Sequence, residues 1–265
     1  MDQTFSEYKL LYEQGGAFSL EDYAVIEFTG SEWREWLQGQ ITNDIRLLTP
    51  ENPIAFCLCK PTGQIIAPGT LHLVNEKGWM IVPLSCAPSV LLRVEQMVIT
   101  EECFAEILET QLMHVIPGID GLRTARTLWE GQDAVEPYVG ELFSEDTFLL
   151  ASLDAKIPLW GFDISESNFP AEMGPKFEAA TMSYTKGCYT GQEINHRLHS
   201  RGHTNKTWDV FLSAEEMASG QDVTDRDGNK IGTVTRSSQR PDHGWLVGAF
   251  VKNGTEPVLE RHDSP

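Results

Sequence analysis

Between Ser183 and His203 the chain reads SYTKGCYTGQEINHRLHSRGH. Cys188 stands two residues after Lys186, with Gly187 and Gly191 on either side of it and its two followers. The glycines permit a backbone bend on both flanks of the thiol. Thr190-Gly191-Gln192-Glu193 fits a capping box, which predicts a helix running to about His199 with Ile194 and Leu198 on its inner face. A thiol just before a helix N-terminus and beside a lysine is biased toward thiolate, the nucleophilic form. The other reading is a small buried hydrophobe in a tight turn, and spacing alone does not choose between them.

The surroundings of the thiol invert the charge of the chain. Lys186, Arg197, Arg201 and Lys206 face the single Glu193, four cations against one carboxylate and a net of +3, in a protein whose formal net charge is -19. Three of the seven histidines, His196, His199 and His203, fall within eight residues. With Cys188 they could ligate a metal, but no recognised zinc spacing matches, so no metal site is assigned. Cys57 and Cys59 lie two apart on a predicted strand and read as core, and Cys86 and Cys103 as ordinary packing residues. Five thiols, odd in number and unevenly spaced, argue against a secreted disulfide framework. Phosphate-binding P-loop, Rossmann glycine and Gly-x-Ser-x-Gly patterns are absent from the sequence.

Composition sets the outer bounds. The chain has 265 residues, 41% of them hydrophobic and 22% charged, enough for two or three compact domains and an ordinary core. The strong negative charge disfavours direct binding to nucleic acid or to an anionic membrane, both polyanions. No apolar run approaches the roughly 20 residues of a membrane span, and MDQTFSEYKL has no signal- or transit-peptide layout. The expected location is therefore the cytoplasm.

These residues need a scaffold. Tyr23–Phe28 reads as a strand, Gly30-Ser31 as a turn and helix N-cap, and Trp33, Trp36 and Leu37 as the apolar face of a helix ending near Gly39. Thr42-Asn43-Asp44 are turn residues. IAFCLC, QIIAPGTLHLV and WMIVP alternate with the turns KPTG and NEKG as a strand meander. SCAPSVLLRVEQM turns helical, and VITEE and QLMHVIPG read as further strands. Between Glu130 and Tyr184, eleven acids oppose Lys156 and Lys176, a pattern read as a solvated surface or, less simply, a partner-docking face. After Thr204 short glycine-punctuated strands around an Asp-Gly turn predict a small antiparallel β-barrel. The fold class is α+β, with ferredoxin-like units over residues 1–203 and the barrel over 204–265.

Lys186-Gly187-Cys188-Tyr189-Thr190-Gly191-Gln192-Glu193 resembles the K-G-C-Y-x-G-Q-E signature of the YgfZ family, folate-binding proteins related to the aminomethyltransferase (T-protein) of the glycine cleavage system. EWLQGQITNDI, KPTGQIIAPGTLHLV, IPLWGFDISESNFPAEMG and GNKIGTVTRS resemble further segments of that family, so the likeness covers nearly the whole chain. It implies a ring of three subdomains around a hole that holds tetrahydrofolate, with the cysteine motif at the rim. It also implies a role in the synthesis or repair of iron–sulfur proteins, including a radical tRNA-thiomethylating enzyme, with Cys188 as the reactive group.

A folate tail is polyanionic, and Lys186, Arg197, Arg201 and Lys206 are the candidates to receive it. Trp160 and Tyr189 are candidate pterin walls, and Asn43, Asp44, Gln192 and Glu193 candidate partners for the pterin edge. Two departures stand out. The hairpin aspartate expected of a true aminomethyltransferase is replaced by Ala67-Pro68, removing the group that would manage the proton. Ala155-Lys156 precedes the G-i-P segment where relatives often carry an acid. The function expected is thus a tetrahydrofolate-binding accessory factor that meets iron–sulfur clients. The alternatives are a tetrahydrofolate-dependent one-carbon transferase or demethylase, with Lys186 or Glu193 moving protons, and a pure interaction protein docking through its acidic face.

Overall fold

The computed structural model describes residues 3–109, 112–116, 126–129, 142–201, 204–241 and 244–263. In chain order the elements are α1 (Gln3–Gln14), β1 (Gly16–Ser19), β2 (Tyr23–Thr29), α2 (Trp33–Gln38), β3 (Ile54–Cys59), β4 (Ile65–Val74), β5 (Lys77–Pro83), α3 (Ala87–Met97), β6 (Phe104–Leu108), β7 (Leu112–Ile116) and β8 (Arg126–Trp129). There follow α4 (Glu145–Asp154), α5 (Pro175–Thr181), α6 (Gln192–Ser200), β9 (Lys206–Ser213), β10 (Asp222–Thr224), β11 (Lys230–Gln239), β12 (Trp245–Lys252) and β13 (Glu260–Arg261). Every named strand pair is antiparallel, as an α+β chain requires. No helix among the described residues is long and apolar enough to cross a membrane.

The chain divides into two compact units. One comprises Asp22–Glu109 and Ile164–Thr204, and the other Met1–Glu21, Thr110–Asp163 and Asn205–Pro265. In the first, five strands run in the order β3-β4-β5-β2-β6. The meander forms because its turns suit their positions: Asn75 and Glu76, at φ 48 and 66, close β4 onto β5 as a two-residue turn whose twist matches the strands. A slip in register between Leu58 and Cys59 bulges β4 at Ile66. Trp33, Trp36 and Leu37 are buried on α2, and Cys57 and Cys59 in β3.

Three details differ from expectation. Val98–Glu102 is not a strand; the Glu101 carboxylate accepts from the backbone N–H of Ile99 and Thr100 and turns the chain, so the strand begins at Phe104. Ser31 does not cap α2, because its hydroxyl donates to Glu102 (2.7 Å) and the helix opens after Glu32. On α3, Val90 is buried but Met97 is exposed.

His72 in β4 is buried, with Nε2 3.1 Å from the Thr70 hydroxyl. Burial pushes it down to about 4, against roughly 6.5 in an unfolded chain. Between those values the unfolded chain binds more protons than the folded one. Stability is therefore expected to fall by about 3 kcal/mol as pH drops from 6.5 to 4 and to level off below. Denaturant midpoints followed against pH check this, and His72→Gln should flatten that stretch of the curve.

In the second unit five strands run β10-β11-β12-β9-β13 over a core of Phe211, Val223, Ile231, Val234, Val247, Ala249 and Val251. The expected Asp-Gly turn is present, with the Asp225 carboxylate accepting from the N–H groups of Asp227 and Asn229. The Val258 N–H reaches the Thr224 carbonyl (3.0 Å), curling the sheet into a half-barrel. A three-stranded sheet, β1-β7-β8, and the pair α1 and α4 complete this unit.

The acid-rich stretch is not simply a solvated surface. Asp154, Asp163 and Glu172 are buried. Asp154 meets His262 at 2.9 Å, and Glu172 accepts from the Phe169 N–H at the start of a 3-10 turn. Four further acids of this tract, Glu130, Asp133, Glu136 and Glu141, lie outside the described residues.

Candidate functional site

The cysteine loop is built on the turn that follows α2. Thr42 is fully buried; its hydroxyl donates to the Thr181 carbonyl (2.6 Å) and accepts from the Cys57 N–H (2.8 Å), tying β3 to the end of α5. The Asn43 amide donates to the carbonyls of Ala55 (2.8 Å) and Ala180 (3.0 Å), and its oxygen accepts from the Asp44 N–H. Asp44 pairs with Arg46 at 2.6 Å and accepts from Gln38. Hydrogen bonds from Arg46 hold the Asp44 carboxyl well below the usual carboxylate range, against its partial burial. The side-chain groups named above for a pterin edge at Asn43 and Asp44 are thus engaged within the fold. They position the loop.

Lys186 is likewise turned inward. It is 5% exposed, and its ammonium donates to the carbonyls of Gln38 (2.7 Å), Ile41 (2.7 Å) and Asn43 (2.9 Å). Burial pushes it down to about 8, which leaves it mainly protonated at neutral pH. The ammonium sits 5.2 Å over the Tyr189 ring. A lysine so engaged is a clip between two segments, not the free cation beside the thiol that its spacing suggested.

Tyr189 is the second anchor. It is buried, and among the described residues its hydroxyl makes no hydrogen bond of good geometry; burial pushes its phenol up, against a smaller opposing effect of the neighbouring Asn195 side chain. The Thr190 N–H donates to the Gly39 carbonyl (3.1 Å). Gly191 lies at φ 87 and precedes α6, and a Cβ there would stand 2.5 Å from the Lys60 carbonyl. That close approach replaces the capping box: Glu193 is exposed, and no side chain caps α6. The buried residue of α6 is Asn195, not Ile194 or Leu198, which are half-buried. Its amide points at the Cys59 sulfur (3.7 Å), and among the described residues its oxygen makes no hydrogen bond of good geometry.

Between the two anchors, Gly187 and Cys188 face solvent. Gly187 has an ordinary φ, and a Cβ added there would meet nothing within 4 Å. The fold therefore does not require glycine at 187, as it does at 191.

The histidines of α6 are engaged locally. His199 stacks on Tyr184 at 3.6 Å and sits 3.1 Å from Glu178, which also accepts from the Tyr184 hydroxyl. His196 lies edge-on to Tyr184 and 3.3 Å from the Gln192 amide. His203 lies outside the described residues, and among the described residues no group of His, Cys, Asp and Glu is arranged to hold a metal ion. Arg197 and Arg201 are exposed at the end of α6, while Lys206, over the Phe250 ring, and half-buried Trp160 belong to the other unit.

No family model matches the chain. Single relatives do. The tRNA-modifying protein YgfZ of Hamiltonella defensa is 28% identical over 225 residues, 71% of this chain and 67% of that protein. The YgfZ protein of Yersinia pestis is 24% identical over 294 residues, 92% and 87% of the two chains. An uncharacterized protein of Haemophilus influenzae is 24% identical over 241 residues, 86% of each. The crystal structure of the glycine cleavage system aminomethyltransferase T from Bartonella henselae matches with a TM-score of 0.77 over 99% of this chain and 89% of that one, at 16% identity, a likeness of fold. The chain is similar to YgfZ proteins and has the fold of the T-protein.

In this chain Ala67 is fully buried opposite Leu58 in the β3–β4 hairpin, with Pro68 opposite Cys57. Neither position offers a titratable group. The thiols also separate cleanly. Burial pushes Cys59 up to about 12, Cys86 and Cys103 to about 11, and Cys57 well above its ordinary value, whereas Cys188 is the exposed thiol of the five. Titration of the native protein with a chromogenic disulfide should therefore show one fast equivalent, lost in Cys188→Ser, and the other four only after unfolding.

Proposed function

We propose that this protein is a tetrahydrofolate-binding accessory factor for the synthesis or repair of iron–sulfur proteins, tRNA-modifying enzymes among them, and that Cys188 is its working thiol in the cytoplasm. The observation that carries the reading is an exposed thiol held between two buried anchors, Lys186 and Tyr189, while the other four thiols are buried. Relatives named as tRNA-modifying proteins support the direction. Ferredoxin-like subdomains in a ring around the folate go with the same proposal.

The fit to folate is partial. Arg197 and Arg201 are exposed and suited to a carboxylate tail. Asn43, Asp44 and Lys186 do not fit a folate contact through their side chains, because their polar groups are already bonded. Tyr189 remains the proposed wall within the unit that carries the cysteine, and Gln192 and Glu193 the proposed edge.

The one-carbon transferase or demethylase reading has the T-protein fold in its favour. Against it stand the hairpin without a carboxylate and a lysine committed to three carbonyls.

Complementation of a deletion strain separates the readings. Cys188→Ala is expected not to restore iron–sulfur enzyme activity, and full restoration would defeat the proposal. Calorimetry with tetrahydrofolate should show binding that Arg197→Ala weakens; no binding by the wild type would remove the folate half. Turnover of any donor in a methylamine panel would favour the transferase.

A further inference from the structure

One edge of the first unit's sheet, unpaired on its outer side among the described residues, carries chemistry that none of this uses. β6 ends the strand order and, among the described residues, pairs only with β2. Its register with β2 runs without a bulge from Phe104 to Leu108. Proteins guard such edges with charges, lysine above all, with proline or with bulges; β6 has no lysine, proline or bulge, and its one charge is the carboxylate of Glu106. Instead Phe104 is 63% exposed and Ile107 47%, on opposite faces of the strand because three residues separate them; Ile99 is 85% exposed, and Met97 and Leu92 are exposed on α3, which packs against β6. The stretch Val94–Glu109 holds five glutamates, Glu95, Glu101, Glu102, Glu106 and Glu109, with no lysine or arginine. No salt bridge among the described residues neutralises any of the five.

Apolar side chains on an open edge invite an added strand, and the charge around them says which. A second copy would set glutamate against glutamate, between chains of net charge -19 each. We infer that β6 is a docking edge for an extended segment of another protein in which apolar and basic residues alternate, added beside β6 as the next strand. Main-chain hydrogen bonds supply affinity; the apolar residues of the added strand lie on the face of Ile107, and its basic residues on the opposite face, where their stems cover Phe104 and their charges meet Glu106, selecting lysine or arginine over acidic segments.

The test uses the full chain and a synthetic peptide alternating lysine with valine and isoleucine, beside its counterpart with glutamate for lysine. Fluorescence anisotropy should show binding of the basic peptide alone, weakening with salt. Amide exchange should slow over Phe104–Leu108 when the peptide is bound. Phe104→Ser combined with Ile107→Ser keeps every charge and alters only exposed side chains; it should weaken binding by about tenfold or more. Undiminished binding by that variant would reduce the effect to general charge attraction and overturn the proposal. So would no binding of the basic peptide to the wild type, or a wild-type dimer that the double variant dissolves.

Discussion

Lys186→Met is expected to destabilise the unit that carries the cysteine by about 3 kcal/mol. The ammonium is the donor to three buried-side carbonyls, those of Gln38, Ile41 and Asn43, at 2.7 to 2.9 Å. Hydrogen bonds to a charged group contribute roughly 1.5–3 kcal/mol each. They share one ammonium, whose burial opposes them, as its lowered titration shows. The net loss is therefore well under three times the single value. Methionine fills the volume but leaves the carbonyls without this donor. Arginine is no rescue: a planar guanidinium cannot aim three N–H groups at carbonyls that converge on one nitrogen. Urea unfolding of the two variants should give lowered midpoints with unchanged slopes. The same change should raise the mobility of Gly187 and Cys188, which the lysine and Tyr189 bracket, so amide exchange in the loop should quicken. A variant as stable as the wild type would show that the clip is dispensable.

Lys186 also shows where the sequence stops being informative. Spacing correctly puts a lysine two residues from a thiol, but its acceptors are backbone carbonyls, which every residue possesses and no sequence marks. The same limit explains Asn43 and Asp44. Their types suit a pterin edge, yet Asn43 bonds Ala55 and Ala180, and the latter lies 137 residues away. Long-range partners of a turn cannot be read locally. Asn195 was missed because helical-face reasoning ranks Ile194 and Leu198 first, whereas the close approach at Gly63 and Gly191 puts Asn195 inside. Gly63 and Gly191 both sit in segments quoted for their family likeness, but neither glycine marks in the sequence that their backbones meet. By contrast, the meander, α2, the Asp-Gly turn and the buried Cys57 and Cys59 were legible. Period-two alternation and turn chemistry are local, and local physics decides them.

Asp163→Ala should be the most damaging single change, destabilising the other unit by about 3–5 kcal/mol. Asp163 is buried and has four donors: the Trp208 indole (3.0 Å), the Thr235 hydroxyl, the Leu159 N–H (3.0 Å) and the Arg236 guanidinium (2.8 Å). The sheet is shaped to deliver two of them. A bulge between Val234 and Arg236 lets consecutive residues, Thr235 and Arg236, both turn toward the carboxylate. Arg236 then reaches on to the Leu149 carbonyl and the Ser152 hydroxyl of α4. Alanine would leave the guanidinium buried without its counter-charge, and most of the expected loss is that orphaned charge. It follows that Arg236→Met, made in the Asp163→Ala background, should recover part of the stability even though it removes a second polar residue. A double-mutant cycle by chemical denaturation measures this directly. If the two losses simply add, the pair is not coupled, and the orphaned guanidinium is not the source of the loss.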